Sequence, residues 1–461
     1  MKMTKFFAGL LVLGTLAGCS KESGMDASEG VPTTASISIQ VSAPGVRSAA
    51  TRAASQVGEK EVATVDILVF DKAGVLETIK SGMTPDQTDP DQTKYQVTTT
   101  TGQKTIYAIV NNGGKVSNLT TGMTLQAFEQ KAFEAAKADA ATPGQEKIDV
   151  SIAKADNFLM FGQQAQVLDK DQAQNAVEIR VKRASAKSQV LFTDQVKQSA
   201  NFQPANTAVT FSEAKSQLAQ LQSSMFVALG GQFSDDTKIL NWTTATTDNS
   251  LYNREDLWIA ARAKGFDQAN DGEMDAAAAV TAYSHYAPEN KNATPQMKNT
   301  TCALIRVKIA PTTFTVNEGT QAGGTFYAIV KFNAADKVGD YKELASYYGI
   351  YKDQATANAE LDKIDAGQKA LYQVIEYTDG LSYYRLNLRD MQNGTNASER
   401  YSILRNNFYK VTVTEINNIG WNRPEDLVDP TDPTPVETET SLEATIVVED
   451  WSDVDMNEPL G

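Results

Sequence analysis

The stretch SISIQVSAPGVRSAATRAAS, residues 36–55, sets a well-formed strand directly beside a soft, cuttable segment. Ile37, Ile39 and Val41 alternate with Ser36, Ser38, Gln40 and Ser42, a period of two that predicts a half-buried β-strand and a core for it to dock on. Arg47 and Arg52 follow among Ala, Ser, Gly and Pro, a composition that attracts proteases. The sheet that receives the strand has to come from the rest of the chain.

That sheet is legible in both directions from the opening stretch. VATVDILVFDKAGVLETIK (62–80) reads as two strands joined at Asp71-Lys72-Ala73-Gly74, and KYQVTTTTGQKTIYAIVNNGG (94–114) as another pair turning near Gly102. MTLQAFEQKAFEAAKADA (123–140) places Leu125, Phe128 and Phe133 at a spacing that predicts one amphipathic helix against a sheet. AVEIRVKRASAKSQVLF (176–192), TTCALIRVKIAP (300–311), GTFYAIVKF (324–332) and NNFYKVTVTEI (406–416) are further strands, and KDQATANAELDKIDAG (352–367) predicts a short exposed helix ending at Gly367. There is no strand–helix–strand rhythm and no fixed repeat, so the fold class is mostly β and sandwich-like. A length of 461 residues favours two domains plus tails. The boundaries expected are 53–189 for the N-terminal domain and 190–423 for the C-terminal one.

The two ends carry their own signals. MKMTKFFAGLLVLGTLAGCS opens with Lys2 and Lys5, continues with an apolar run from Phe6 to Leu16 and closes on small residues, too short to span a bilayer. It reads as an export signal over residues 1–18. Leu16-Ala17-Gly18-Cys19 is similar to a bacterial lipobox, where cleavage precedes a cysteine that is then acylated; the plain alternative is a signal peptide that happens to contain Cys19. At the other end, RPEDLVDPTDPTPVETETS (423–441) is acidic with Pro424, Pro430, Pro433 and Pro435, which predicts an extended linker. Beyond it SLEATIVVEDW is a strong strand with Leu442, Ala444, Ile446 and Val448 on one face, and Val447 and Trp451 on the other. A strand beyond such a linker is free to pair with another molecule.

Composition excludes several classes of function. The chain carries 42 Lys+Arg against 57 Asp+Glu, a formal charge of −15, and such a surface repels nucleic acid and anionic head groups. Apart from Cys19 the sole cysteine is Cys302, in a strand, so no disulfide framework exists and a buried, inert thiol is expected. The single histidine, His285, leaves any His-based triad or metal site hanging on one residue, and a packed or loop histidine is expected instead. DQANDGEMD clusters Asp267, Asp271, Glu273 and Asp275, but Ala269 and Ala278 stand where a calcium loop needs ligands. No Gly-rich phosphate loop, paired CxxC or HExxH occurs. No catalytic, cofactor-binding or metal residues are assigned, no cofactor is expected, and the chain is read as a non-enzyme. The 4 Trp and 16 Tyr leave a glycan-binding surface open as an alternative to ordinary core aromatics.

Taken in order, Cys19, the strand Ile37–Val41, the two arginines, TIYAIVNNGG, YAPENKNATPQ before CALIRVKIA, and RNNFYKVTVTEI followed by a strand ending at Trp451 resemble the Bacteroidales fimbrillins, subunits of type V pili. The branch the chain is most similar to is the major subunit of the short fimbria. The resemblance implies two tandem transthyretin-like sandwiches, a removable N-terminal strand and an extended C-terminal donor strand over 424–461. It also implies export to the outer membrane as a lipoprotein anchored by a lipid such as palmitate on Cys19, and removal of residues 19–52 by an Arg-specific protease. Polymerisation into a homopolymeric fimbrium follows, with accessory subunits, supporting adhesion and biofilm. In that scheme Ile37, Ile39 and Val41 are a plug, and Leu442, Ala444, Ile446, Val448 and Trp451 of another copy replace it. The cut is expected between Arg52 and Ala53, which leaves thirteen residues, Ala53 to Val65, ahead of the strand near Asp66; Arg47 is the alternative. An anchor or tip subunit of the same family, and a surface glycan-binding lipoprotein, are the competing readings.

Overall fold

The computed structural model describes residues 33–42, 59, 61–84, 94–139, 147–154, 157–170, 175–228, 234, 236–240, 257–260, 262–263, 284–332, 344–436 and 442–450. Cys19, Arg47, Arg52, Ala53, the acidic cluster 267–275 and Trp451 lie outside them.

Strands dominate. The N-terminal half is built from β1 (Thr34–Ser42), β2 (Val65–Phe70), β3 (Leu76–Met83), β4 (Lys94–Thr100), β5 (Gly102–Val110), β6 (Met160–Leu168) and β7 (Ala176–Arg180), with one helix, α1 (Leu125–Glu129). A three-stranded sheet in the order β7-β1-β4 faces a five-stranded sheet in which the short strand Lys182–Arg183 is followed by β6, β5, β2 and β3. Strand β2 is buried along its whole length because Val65, Ile67 and Val69 face the first sheet while Leu68 and Phe70 face a second apolar layer with Tyr107, Phe128 and Phe161. An unbroken apolar run is what burial on both faces demands. The β2–β3 turn is the one expected: the Asp71 carboxylate accepts from the Ala73 and Val75 amides, and Gly74 takes a φ of +73°.

Two sequence expectations are corrected here. Strands β4 and β5 are not a hairpin; at Thr101-Gly102, with Gly102 at φ +105°, the chain crosses from one sheet to the other. The single helix predicted over 123–140 stops after five residues. Thr124 caps its start by accepting from the Ala127 amide, but Phe133 then leaves helical geometry to pair in a β-ladder with Met225. Both phenylalanines are buried, and a periodic apolar pattern alone does not distinguish the two routes.

The C-terminal half contains β8 (Ala186–Gln203), β9 (Val209–Ala219), β10 (Cys302–Pro311), β11 (Phe326–Phe332), β12 (Leu344–Tyr351), α2 (Gln354–Leu361), β13 (Tyr372–Tyr377), β14 (Leu381–Asn387), β15 (Asn407–Asn418) and β16 (Leu442–Asp450). Helix α2 ends at Leu361 rather than running on to Gly367. Strands β8, β15 and β16 form one sheet, β9, β10 and β14 a second, and β12, β11 and β13 a third. Val190, Phe192, Ile305, Val307, Phe326, Val330, Val411 and Val413 fill the space between them. Strand β8 runs through the domain boundary expected at 189/190, because Ala186 already pairs with Ala287 of the C-terminal half.

Candidate functional site

Strand β1 lies in the middle of its sheet. It pairs antiparallel with β4 (Ile37 opposite Val97, Ile39 opposite Tyr95) and parallel with β7 (Ile39 opposite Val177, Val41 opposite Ile179). Ile37, Ile39 and Val41 are each 0% exposed and share one apolar cluster with Val65, Ile67, Ile106, Ala108, Met160 and Phe408. Ser36, Ser38 and Gln40 face outward and are half-buried. The alternation seen in the sequence is therefore the alternation of the strand's two faces, and Ala35 joins the inner face as a fourth apolar residue.

Main-chain and side-chain bonds fix the strand's near end. Thr33 and Thr101 bond each other through the Thr101 amide to the Thr33 carbonyl (2.8 Å) and the Thr33 amide to the Thr101 hydroxyl (3.1 Å). Asn175 is 0% exposed. Its Nδ2 donates to the Ser36 carbonyl (3.1 Å) and the Asp169 carbonyl (2.6 Å), its Oδ1 accepts from the Asp169 amide (2.9 Å), and its main-chain carbonyl accepts from the Ser38 amide (3.2 Å). Nothing in residue type or spacing pointed to Asn175, since an asparagine before a strand reads as ordinary turn chemistry.

Past the far end of β1, the first described residue is Glu59, and it is clamped. Its carboxylate accepts from Lys187 Nζ (3.1 Å) and the Tyr286 hydroxyl (2.5 Å), and its carbonyl accepts from Arg183 Nε (2.8 Å). Glu59, Lys187 and Arg183 are all buried. Burial pulls the Lys187 ammonium down to about 8 against the opposing pull of Glu59, and burial together with Glu59 pushes the Tyr286 phenol up. A charge this deep persists because it is paired. Residue 59 is seven positions beyond Arg52, so a cut there leaves the clamp on the retained part of the chain.

The C-terminal strand, which on its sequence need not pair with its own domain, lies on that domain here. Strand β16 pairs antiparallel with β15 of the same chain, Val411 opposite Ile446 and Ile416 opposite Leu442, and it ends the order of its sheet. The proline-containing stretch before it is docked rather than extended. Val428, Asp432 and Val436 are buried; the Met297 amide donates to the Thr434 carbonyl (2.8 Å), the Lys298 amide to the Asp432 carbonyl (3.0 Å) and Asn387 Nδ2 to the Val436 carbonyl (3.3 Å). Prolines remove amide donors but leave carbonyls, and the carbonyls are what this strap uses. Upstream of the strap, the hydroxyls of Tyr347 and Tyr377 donate to the Gly420 carbonyl and that of Tyr384 to the Asn418 carbonyl, pinning the corner where β15 ends.

The single histidine sits on the strand Ser284–Ala287, its Nε2 3.0 Å from the Ser216 hydroxyl. Burial lowers it to about 4, so it is neutral at physiological pH and ties two strands together. It borders a cavity of about 290 Å³ with Ile148, Lys154, Gln217 and Leu221. Cys302 is buried in β10, and burial raises its thiol.

Comparison with known proteins bears on this arrangement. The sequence model of the family described as "Major fimbrial subunit protein (FimA)" matches residues 35–183, and that of "Major fimbrial subunit protein type IV, Fimbrillin, C-terminal" matches residues 375–457. Together they take in about half of the chain, and each contains one of the two terminal strands. The minor fimbrium subunit Mfa1 of Porphyromonas gingivalis is 26% identical over 491 residues, covering 94% of this chain and 90% of that protein. The chain belongs to the fimbrillin family. It is a structural subunit of a cell-surface fimbrium. Solved structures similar to this fimbrillin include a fimbrilin from P. gingivalis (15% identity, TM-score 0.42, 90% of this chain and 97% of that one). Another is the tip fimbrial protein Mfa3 of P. gingivalis with a C-terminal truncation (12% identity, TM-score 0.36, 90% and 100%).

Proposed function

We propose that this fimbrillin is a stalk subunit that polymerises by exchanging strands between copies. It is exported as a lipoprotein acylated on Cys19 and cut between Arg52 and Ala53 by an Arg-specific protease, with Arg47 as a second possible site. The cut frees β1, and β16 of another copy takes its place between β4 and β7. Its partners are further copies of itself and accessory fimbrial subunits.

The observation that carries this reading is a match between two strands. Both β1 and β16 are nine residues long, and both carry apolar residues at four alternate positions, Ala35, Ile37, Ile39 and Val41 in one and Leu442, Ala444, Ile446 and Val448 in the other. One occupies the middle of a sheet with a ladder on each side; the other ends a sheet with a ladder on one side. Burying three aliphatic side chains contributes on the order of 5–9 kcal/mol as an upper estimate, so β1 holds its place while tethered at high effective concentration. After the cut it departs by dilution. A strand moving from β15 into the vacated slot exchanges one ladder for two.

The purified chain treated with an Arg-specific protease is expected to form ladders that resist SDS, and the chain lacking residues 437–461 is expected to remain monomeric after the same cut. Complete cleavage that yields monomers from the intact chain would sink the proposal.

A further inference from the structure

Taking β1 away leaves two strands without a ladder. In the order β7-β1-β4 the plug is the middle strand, and among the described residues neither β4 nor β7 pairs with any other strand in that sheet. A slot that is to receive another strand has to keep both walls in place in the meantime, each fixed to the five-stranded sheet behind it. For β7 the backbone does this. The chain runs on through Val181 into Lys182 and Arg183, which pair with Phe161 and Met160 of β6. Strand β7 also lies so close on β6 that a Cβ on Gly162 would stand 2.4 Å from the Arg180 carbonyl oxygen.

Strand β4 is joined to the facing sheet by the corner at Thr101-Gly102, a single covalent link with Gly102 at φ +105°. A polar cluster braces that corner. Lys104 stands on the inward face of β5 in line with Ile106, Ala108 and Val110, and it is 3% exposed. Its ammonium is 2.8 Å from Glu77 Oε1 and donates to the Thr100 hydroxyl (2.7 Å). Glu77 arrives from β3 on a bulge: Val69 lies opposite Thr78 and Phe70 opposite Leu76, so Glu77 is the extra residue, and such a residue is re-aimed out of the regular pleat. Its carboxylate accepts from the hydroxyls of Thr99 and Thr100, the latter at 3.0 Å, and the Thr78 hydroxyl donates to that of Thr99 (3.0 Å). None of these groups belongs to β1.

We propose that the Glu77–Lys104 pair is a strut that holds β4 in place while the slot is empty, so that the arriving strand meets a preformed site. The proposal rests on the strand-exchange reading and adds positioning residues to it. A buried ion pair gains little stability over apolar residues of the same size. What this one supplies is a fixed meeting point for β3, β4 and β5. With β1 present the strut is redundant, because a ladder from Thr34 to Gln40 holds β4 along its length. With β1 gone, the strut keeps Thr99 and Thr100 against the facing sheet and so keeps the edge of β4 in line for the next strand.

The test uses the full chain carrying Ile446→Pro, so that its own tail is not donated, cut with an Arg-specific protease and freed of the released plug by gel filtration. A fluorescent peptide of residues 441–450 is then added, and its uptake and release are timed separately. Thr99→Val together with Thr100→Val removes the hydroxyls through which the strut grips β4, keeps β-branched side chains and leaves the ion pair itself in place. The uncut double variant is expected to melt within a few degrees of its parent. After the cut it is expected to take up the peptide about tenfold more slowly, with release unchanged, because a site that has to be rebuilt slows association and a filled one holds β4 by its ladder. A merely structural role would instead lower the melting point of the uncut chain and hasten release. Glu77→Gln with Lys104→Met, which removes both charges at similar volume, carries the comparison where the valine variant does not fold. Uptake at the parent's rate, or a loss that falls on release or on the uncut chain instead, overturns the strut and leaves strand exchange standing. A parent that takes up no peptide overturns both.

Discussion

At the residue scale, the chemistry of this subunit is that of buried groups held by particular partners. Ile39 sits at the centre of β1 with no exposure, so Ile39→Asp places a carboxylate where it has no water, at a cost of several kcal/mol. The expected outcome is a plug that no longer holds: SDS-resistant ladders appear in samples that no protease has cut, on the strand-exchange reading. Glu59→Ala removes the carboxylate against Lys187 and Tyr286 and is expected to lower unfolding stability on the order of 3 kcal/mol, measured by urea titration. His285 supplies a pH dependence. Its folded value of about 4 lies below the ordinary 6.5, so between those values the unfolded chain binds the extra proton. Stability therefore falls as pH drops from 6.5 towards 4 and is insensitive to this group above 6.5. His285→Gln, which can still bond Ser216, should flatten that acid limb by on the order of 2 kcal/mol when urea midpoints at pH 7 and pH 4.5 are compared.

At the scale of elements, the strands were legible and their partners were not. Period-two alternation located β1 and β15, because each has one face on a core and one towards polar surroundings; the apolar pattern located β10 and β11, whose two faces pack on different apolar clusters. It placed β2 as well, where both faces are buried and the apolar run is continuous. Alternation says nothing of which sheet a strand joins, and so β4 and β5, adjacent in sequence, were expected as a hairpin although they belong to opposite layers. Phe128 and Phe133 show the complementary ambiguity: both are core residues, but one lies on a helix and the other on a strand paired 92 residues away with Met225. Asn175 and Glu59 carried no signal at all, since their roles depend on partners distant in sequence. For β16 the backbone supplies a clean test. Ile446→Pro deletes one ladder donor and kinks the strand, and it is expected to abolish ladder formation while shifting the thermal midpoint of the uncut chain by only a few degrees.

For the whole molecule, the two halves meet through the same residues that surround the plug. Phe408 of β15 belongs to the apolar cluster of Ile37, Ile39 and Val41, and the Tyr286 ring packs edge-on to Phe158 at 5.1 Å. Loss of β1 thus removes material from a core that both halves share. A cut chain whose plug has been washed away under denaturant and whose own tail is absent is expected to melt at least 10 °C below the uncut chain, and a synthetic peptide of residues 441–450 is expected to restore most of the difference. The mostly β architecture and the fimbrillin relationship could be read from the sequence. The docking of the proline-containing strap could not, because it rests on the main-chain carbonyls of Asp432, Thr434 and Val436, which every residue type carries alike.

Strand β15 bears a consequence of its own. While β16 lies on it, one side of its backbone from Asn407 to Ile416 is paired within the chain. A subunit that has handed its tail to a neighbour bares that side, and a fibre assembled in this way carries the same bared edge at every repeat along its length. Bare edges of this kind recruit one another. Lys410 and Glu415 along β15, together with a chain charge of −15, then matter as the means by which neighbouring fibres are kept from zipping together side by side.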